Sequence, residues 1–154
     1  MVTKLMGVEF ARREDFPDIA RHLLEFSSTL AASSDFMPTP DRLVEILESL
    51  RTTGVLLVNR DGRKISGIIG GNMGPHQFNQ KLRVLSEQFW WVSPCARDKG
   101  VGRILLEAFL GLGESCDIVT VALEHDSPVP EKYLERFGLM PFERTYLKEK
   151  QCQH

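Results

Sequence analysis

The spacing of apolar positions changes period several times along the chain, and each change marks an element. Phe16, Ile19, Ala20, Leu23 and Leu24 recur at i, i+3, i+4, i+7 and i+8, the stripe of an amphipathic helix. The stretch GVEFARRED before it reads as a short strand leading into that helix. AASSDFMPTP breaks the stripe, and a second helix starts with Thr39 as N-cap and Pro40 in its first position. Leu43, Ile46, Leu47 and Leu50 form its apolar face, and Gly54 is placed to end it.

Beyond residue 54 the pattern turns to β. VLLVNRDGRKISGIIGG reads as a hairpin, two β-rich runs joined through NRDGRK with Asp61-Gly62 as the turn signal. After the loop GPHQFNQKLR comes a long strand from Leu85 to Val92. A helix over residues 100–112 then carries Val101, Ile104, Leu105, Ala108, Phe109 and Leu112 on one face. DIVTVALEH is a continuous apolar run, which predicts a strand in a buried central position. A short helix across PVPEKYLERF ends at Gly138, and PFERTYLKE reads as a closing strand. The order is β-α-α-β-β-β-α-β-α-β, and the strand–helix–strand run over residues 85–124 implies a right-handed parallel crossover. The predicted class is α+β, layered as in α/β folds, with a mixed, mostly antiparallel central sheet and one parallel β-α-β crossover.

Composition narrows this little. A chain of 154 residues, 42% hydrophobic and 26% charged, reads as one globular domain spanning residues 1–154. Its formal charge of −2 gives no global attraction to nucleic acid, so such a partner is not expected. MVTKLMGVEFARRED lacks an apolar signal core and no run of 18 apolar residues occurs, so a cytoplasmic protein without membrane contact is expected. Cys95, Cys116 and Cys152 are odd in number and widely spaced, with no CxxC pair and no clustering with the histidines. Reduced thiols and no metal are the expectation.

Candidate chemistry lies in CARDKGVGRILLEAF, residues 95–109. Arg97, Asp98, Lys99, Gly100 and Gly102 stand at the entrance of the third long helix, directly after the strand EQFWWV. A helix N-terminus leaves about four backbone N–H groups unpaired and carries roughly half a positive charge. Two glycines let an anion approach those amides, and Arg97, Lys99 and Arg103 add ionic contacts, so a pyrophosphate suits the site. GxGxxG is not satisfied, because Leu105 stands where the third glycine would be, and no GxxxxGK[S/T] loop occurs. Tight helix–strand packing is the structural alternative for the two glycines.

The run from Val92 through Ser93, Pro94, Cys95, Ala96, Arg97, Asp98, Lys99, Gly100 and Val101 to Gly102 resembles the acyl-CoA signature of the GNAT family of N-acetyltransferases. That signature is a strand ending in Val-x-Pro, followed by Arg/Gln-x-x-Gly-x-Gly/Ala opening a long helix. The element order is similar to that family's over nearly the whole chain. EQFWWVSP is further similar to a subset met among phage and prophage acetyltransferases. The resemblance implies acetyl transfer from acetyl-CoA as cosubstrate to an amine acceptor, a small molecule or a protein. It implies cofactor contacts at Trp91, Val92, Ser93, Arg97, Asp98, Lys99, Gly100, Val101, Gly102, Arg103 and Asp126. It also implies that the strands flanking the helix splay apart to admit the pantetheine arm.

An acceptor ammonium must lose a proton before it attacks, and Glu87, on the strand leading to the cofactor site, is the candidate base. Its register differs by one from some family members, which would turn it to the other face; a bulge, common in this strand of the family, would restore the direction. A solvated strand glutamate is the alternative. Tyr133 is the candidate acid for the departing thiolate; family members often carry Tyr four residues before the helix-ending glycine, whereas here that place is Leu134. One position turns a helical side chain by about 100°, so packing is its competing role, with solvent as the acid. His125 is the outside alternative as base. Trp90 and Trp91 are expected on opposite faces of the strand. A non-catalytic CoA-binding or protein-interaction module on the same fold is the alternative function. The acceptor would be shaped by residues 31–40 and 74–83, and the oligomeric state, a homodimer included, is left open.

Overall fold

The computed structural model describes residues 7–30 and 37–149. The first part of the 31–40 loop and Cys152 lie outside the described residues. The chain divides into two compact units, residues 1–122 and 123–154.

The first unit is built on a five-stranded sheet of order β1-β2-β3-β4-β5. Strands β1 (Val8–Phe10), β2 (Val55–Asp61), β3 (Lys64–Pro75) and β4 (Arg83–Val92) are antiparallel neighbours. β5 (Ile118–Thr120) runs parallel to β4 after the helix α3 (Val101–Gly113), so the mixed sheet and the parallel crossover are present. Helices α1 (Phe16–Ser27) and α2 (Pro40–Thr53) connect β1 to β2. The β2–β3 turn is tighter than NRDGRK suggests: pairing runs to Asp61↔Lys64, and Gly62 takes the left-handed backbone such two-residue turns need (φ +62°).

VLLV in β2 explains the layering. Leu56 and Val58 join one apolar core with Ile19, Leu23, Leu43, Leu47 and Leu50 of α1 and α2. Val55 and Leu57 point the other way and join Leu105 and Phe109 of α3. A stretch buried on both faces is apolar at every position, and Val55 to Val58 are. α3 sits close on β3, because a Cβ at Gly67 would lie only 2.9 Å from side-chain carbons of Val101 and Leu105.

Thr39 caps α2 by accepting from the Arg42 N–H at 3.4 Å, and Pro40 opens the helix as predicted. Other expectations change. Leu24 is 56% exposed and His22 is buried in its place. Relative to Ile19 the two positions lie at roughly −60° and 140° around the helix, so the stripe passes through 22 and 23. On α3, Leu106 is fully buried although it lies off the predicted face. The DIVTVALEH run forms only the three-residue β5, half-buried at the edge of the described sheet and not central. Its ladder with β4 stops at Ser86↔Thr120.

The second unit holds α4 (Glu131–Glu135). Gly138 N–H bonds Glu135 O and Leu139 N–H bonds Leu134 O, with Gly138 at φ +79°, so the turn closes at the glycine as expected. The closing strand over PFERTYLKE does not form; residues 139–149 have no regular structure, and Phe142 and Tyr146 are 85% and 87% exposed. A strand needs a neighbouring edge for its backbone N–H and C=O groups, and the described part of this unit contains no other strand.

Candidate active site

β4 carries the site because its backbone changes direction midway. Gly70 pairs with Phe89 and Gly71 with Glu87, so Gln88 is an extra residue, a β-bulge. The faces confirm the switch: Leu85 packs in the α3-side core, whereas Phe89 packs in the core under α1 and α2. Without the bulge, residues 85, 87, 89 and 91 would share one face. Trp91 packs with the α1-side core and Trp90 with the α3-side core, on opposite faces as predicted. Both indole N–H groups are buried without a hydrogen-bond partner.

Glu87 stands next to the bulge, half-buried. Its Oε2 accepts the backbone N–H of Ala122 at 3.0 Å. That donor lies two residues beyond the last β4–β5 pair, so a carboxylate takes the N–H of the departing strand where the ladder stops. Beyond Ser86↔Thr120 no described strand pairs with the outer side of β4.

Backbone alternation fixes what that open side presents. Ser93 N–H donates to Ser66 O on β3 at 2.9 Å. Neighbouring residues in an antiparallel ladder direct N–H and C=O to opposite sides, so those of Val92 face away from β3. The Val92 carbonyl accepts from Arg97 Nε at 3.1 Å, and the Arg97 guanidinium lies 4.6 Å from the centroid of the Trp91 ring.

The segment after β4 leads straight into α3. Asp98 and Gly100 both adopt left-handed backbone, φ +62° and +80°, and Gly100 supplies no side-chain cap. The first intrahelical bond is Ile104 N–H to Gly100 O at 3.1 Å, so the amides of Val101 and Gly102 precede it and point out of the helix. Gly102 is the informative glycine. A Cβ there would come no closer than 3.4 Å to Trp90 and 3.5 Å to Val92, ordinary contact distances, so packing does not require glycine. Arg97, Asp98 and Lys99 are exposed, and Arg103 donates to Glu107 at 2.8 Å.

Trp91 to Arg103 and Glu87 are therefore brought together along β4 and the start of α3. Asp126, His125 and Tyr133 belong to the second unit. Asp126 and His125 are exposed there, and Tyr133 is half-buried with its ring 5.2 Å from that of Phe137. One group near the end of β4 escaped the sequence reading, the fully buried His22, which contacts Ser93. The signal was available, since position 22 is i+3 from Ile19. Among the described residues no cluster of three His, Cys, Asp or Glu side chains is placed to hold a metal, and no helix is long and apolar enough to cross a membrane.

No curated protein matches the chain by sequence. Among solved structures, a transcriptional regulator from Bacillus halodurans superposes with a TM-score of 0.75 at 14% identity, covering 93% of this chain and 98% of that one. An acetyltransferase from Trypanosoma brucei gives 0.72 at 18% identity, over 93% and 98% of the two chains. A ribosomal-protein-alanine N-acetyltransferase from Brucella melitensis biovar Abortus gives 0.68 at 15%, over 94% and 98%. These likenesses are of fold. The sequence profile of the Acetyltransferase (GNAT) family matches residues 18–139, a span that takes in β4, the bulge, the glycine-bearing turn and α3, and the chain is a member of that family.

Proposed function

We propose that this chain transfers the acetyl group of acetyl-CoA to an amine nitrogen, on a small molecule or a protein. The observation that carries the reading is the meeting of two backbone surfaces: the open side of β4 at Val92 and the amide-bearing start of α3 at Val101 and Gly102. The donor set fits the cosubstrate. An amide-bearing arm suits an unladdered strand backbone, and a pyrophosphate suits a helix start with an anion-permissive Gly102. When bound, acetyl-CoA supplies an activated thioester.

The chain's own groups do the rest. Val92 N–H and C=O pair with the donor arm, and Arg97, whose Nε bonds that carbonyl, keeps further guanidinium N–H groups for phosphate. Glu87 first takes a proton from the acceptor ammonium, directly or through water; the freed amine then attacks, the N–C bond forms, the C–S bond breaks, and the nitrogen's second proton passes to solvent. A strand backbone N–H near Val92, on the open side of β4, stabilises negative charge developing on the acyl oxygen. The leaving sulfur takes its proton from Tyr133 or from solvent; Tyr133 rests on the family resemblance alone. Asp126 adds a contact to the donor on the same basis. The family match spans residues 18–139, on both sides of residue 122, which supports one domain over residues 1–154. We further read the chain as cytoplasmic and, from EQFWWVSP, as a phage-type member.

A specific observation favours a second reading, a CoA-binding module without turnover: Glu87 already has structural work in holding Ala122 N–H. Thiol release from acetyl-CoA, followed over a panel of primary amines and peptide N-termini, separates the two. Amine-dependent release with the acetylated product seen by mass supports transfer. Saturable acetyl-CoA binding without release on any amine supports the module.

A further inference from the structure

His22 is completely buried in α1, although the proposed chemistry does not use it. Its Nε2 lies 2.9 Å from Ile65 O and its Nδ1 3.2 Å from Ser93 Oγ. A carbonyl oxygen only accepts, so Nε2 carries the proton and donates to Ile65. In the neutral ring Nδ1 is then the acceptor, and the Ser93 hydroxyl donates to it. Arg21 Nη2, 3.4 Å from Nε2, meets a nitrogen that already bears a proton. Glu25 Oε2 is 3.9 Å from Nδ1, beyond hydrogen-bond length. Both ring nitrogens are thus used, one on the second residue of β3 and one on the residue just past β4.

We propose that His22 is a positioning residue for the donor site. By tying the Ser93 hydroxyl to α1 and to Ile65, it holds the Ser93 peptide in place on β3, with its N–H on Ser66 O. That fixed peptide is what turns the N–H and C=O of Val92 to the open side. The chain continues directly into a short helical turn, Pro94–Ala96, so without the tie residue 93 is the point where the strand end can twist. A leucine at position 22 would pack but would leave a buried hydroxyl and a buried carbonyl without partners. This role rests on the reading of the β4 edge as an acyl-CoA site.

The test compares the full-length wild type with His22→Leu and His22→Asn, by peptide-resolved hydrogen exchange without ligand and by acetyl-CoA titration. Asn places an acceptor near the position of Nδ1, so it should recover most of what Leu loses. In folded His22→Leu we expect exchange to rise about tenfold in the peptide containing Ser93 and little around Leu85, with the acetyl-CoA Kd weakened about tenfold, the size of one lost hydrogen bond. Uniformly faster exchange with wild-type affinity would show a purely structural histidine and overturn the proposal. Should His22→Leu fail to fold, Ser93→Ala removes the same bond and is read by the same two outcomes. A wild type that binds no acetyl-CoA overturns the donor-site reading, and this role with it. A wild type that binds, beside a His22→Leu that binds equally, overturns only the role of His22.

Discussion

Glu87 has two duties, and glutamine separates them. A Gln amide oxygen still accepts the Ala122 N–H, so Glu87→Gln should keep the strand end and acetyl-CoA affinity while losing the base. Turnover should fall about 100- to 10,000-fold, and the deficit should shrink as pH rises and the acceptor arrives already neutral. Steady-state rates from about pH 6 to 9.5 check this, and wild-type-like rates throughout would leave Glu87 with only its structural duty. Gly102 separates ligand from packing in the same way. Gly102→Ala should fold and melt at or slightly above the wild-type temperature, since its Cβ meets only ordinary contacts and alanine favours helix. Gly102→Asp should also fold, because a first-turn carboxylate suits the helix dipole, yet weaken CoA binding by about tenfold or more through repulsion of the phosphate. Calorimetric titration of both variants tells the two effects apart.

At the scale of elements, the turn between β4 and α3 holds two left-handed residues in three. Asp98 tolerates that backbone because its short polar side chain is among the few that do. Gly100 has open space around it but φ +80°, so Gly100→Ala should cost about 1 kcal/mol from conformation alone, without any clash. Chemical denaturation measures the loss, and a cost near zero would mean the turn relaxes. The bulge at Gln88 works at the same scale. One extra residue moves Phe89 and Trp91 to the α1-side core and leaves Trp90 and Val92 beside α3. The Glu87–Ala122 bond then holds the segment after β5, past the last β4–β5 pair.

At the scale of the whole molecule, a ligand that binds only the folded chain adds to its stability. Acetyl-CoA at 100 times its Kd should add about 2.7 kcal/mol. A melting temperature unmoved by millimolar acetyl-CoA would argue against the donor site. Stability should also respond to acid through Asp15, buried where the chain enters α1. Burial alone would raise its pKa, but the 2.6 Å bond from Arg60 and the 2.8 Å bond from the Arg12 N–H outweigh that and hold it below its ordinary 3.8. A lowered carboxylate pKa stabilises the fold above the unfolded value, and this is lost as pH falls through the folded one. Asp15→Asn should therefore cost about 2 kcal/mol near neutrality, with the gap to wild type closing as pH falls from about 5 to 2. Urea denaturation across that range checks it; a gap that stays constant with pH would mean packing, not charge.

The sequence by itself determined the elements whose signals are local. The Thr39-Pro40 helix start, the Asp61-Gly62 turn, the closure at Gly138 and the glycine-bearing entrance to α3 all depend on residues within a few positions of one another. Local chemistry sufficed because caps, turns and left-handed backbone are set by near neighbours. Tertiary structure alone decided which half of an apolar run became strand. DIVTVALEH looked central, yet only Ile118–Thr120 pairs, and past the end of that ladder the Ala122 N–H finds its acceptor on Glu87, 35 residues away, which no local pattern encodes. It likewise decided that PFERTYLKE forms no strand, since a strand depends on an edge that its own sequence does not encode. The bulge that reorients β4 was expected in kind, but its place at Gln88 follows from pairing with β3. His22 shows the same division: helix geometry puts position 22 on the buried stripe, but only the fold brings Ile65 and Ser93 to its two nitrogens.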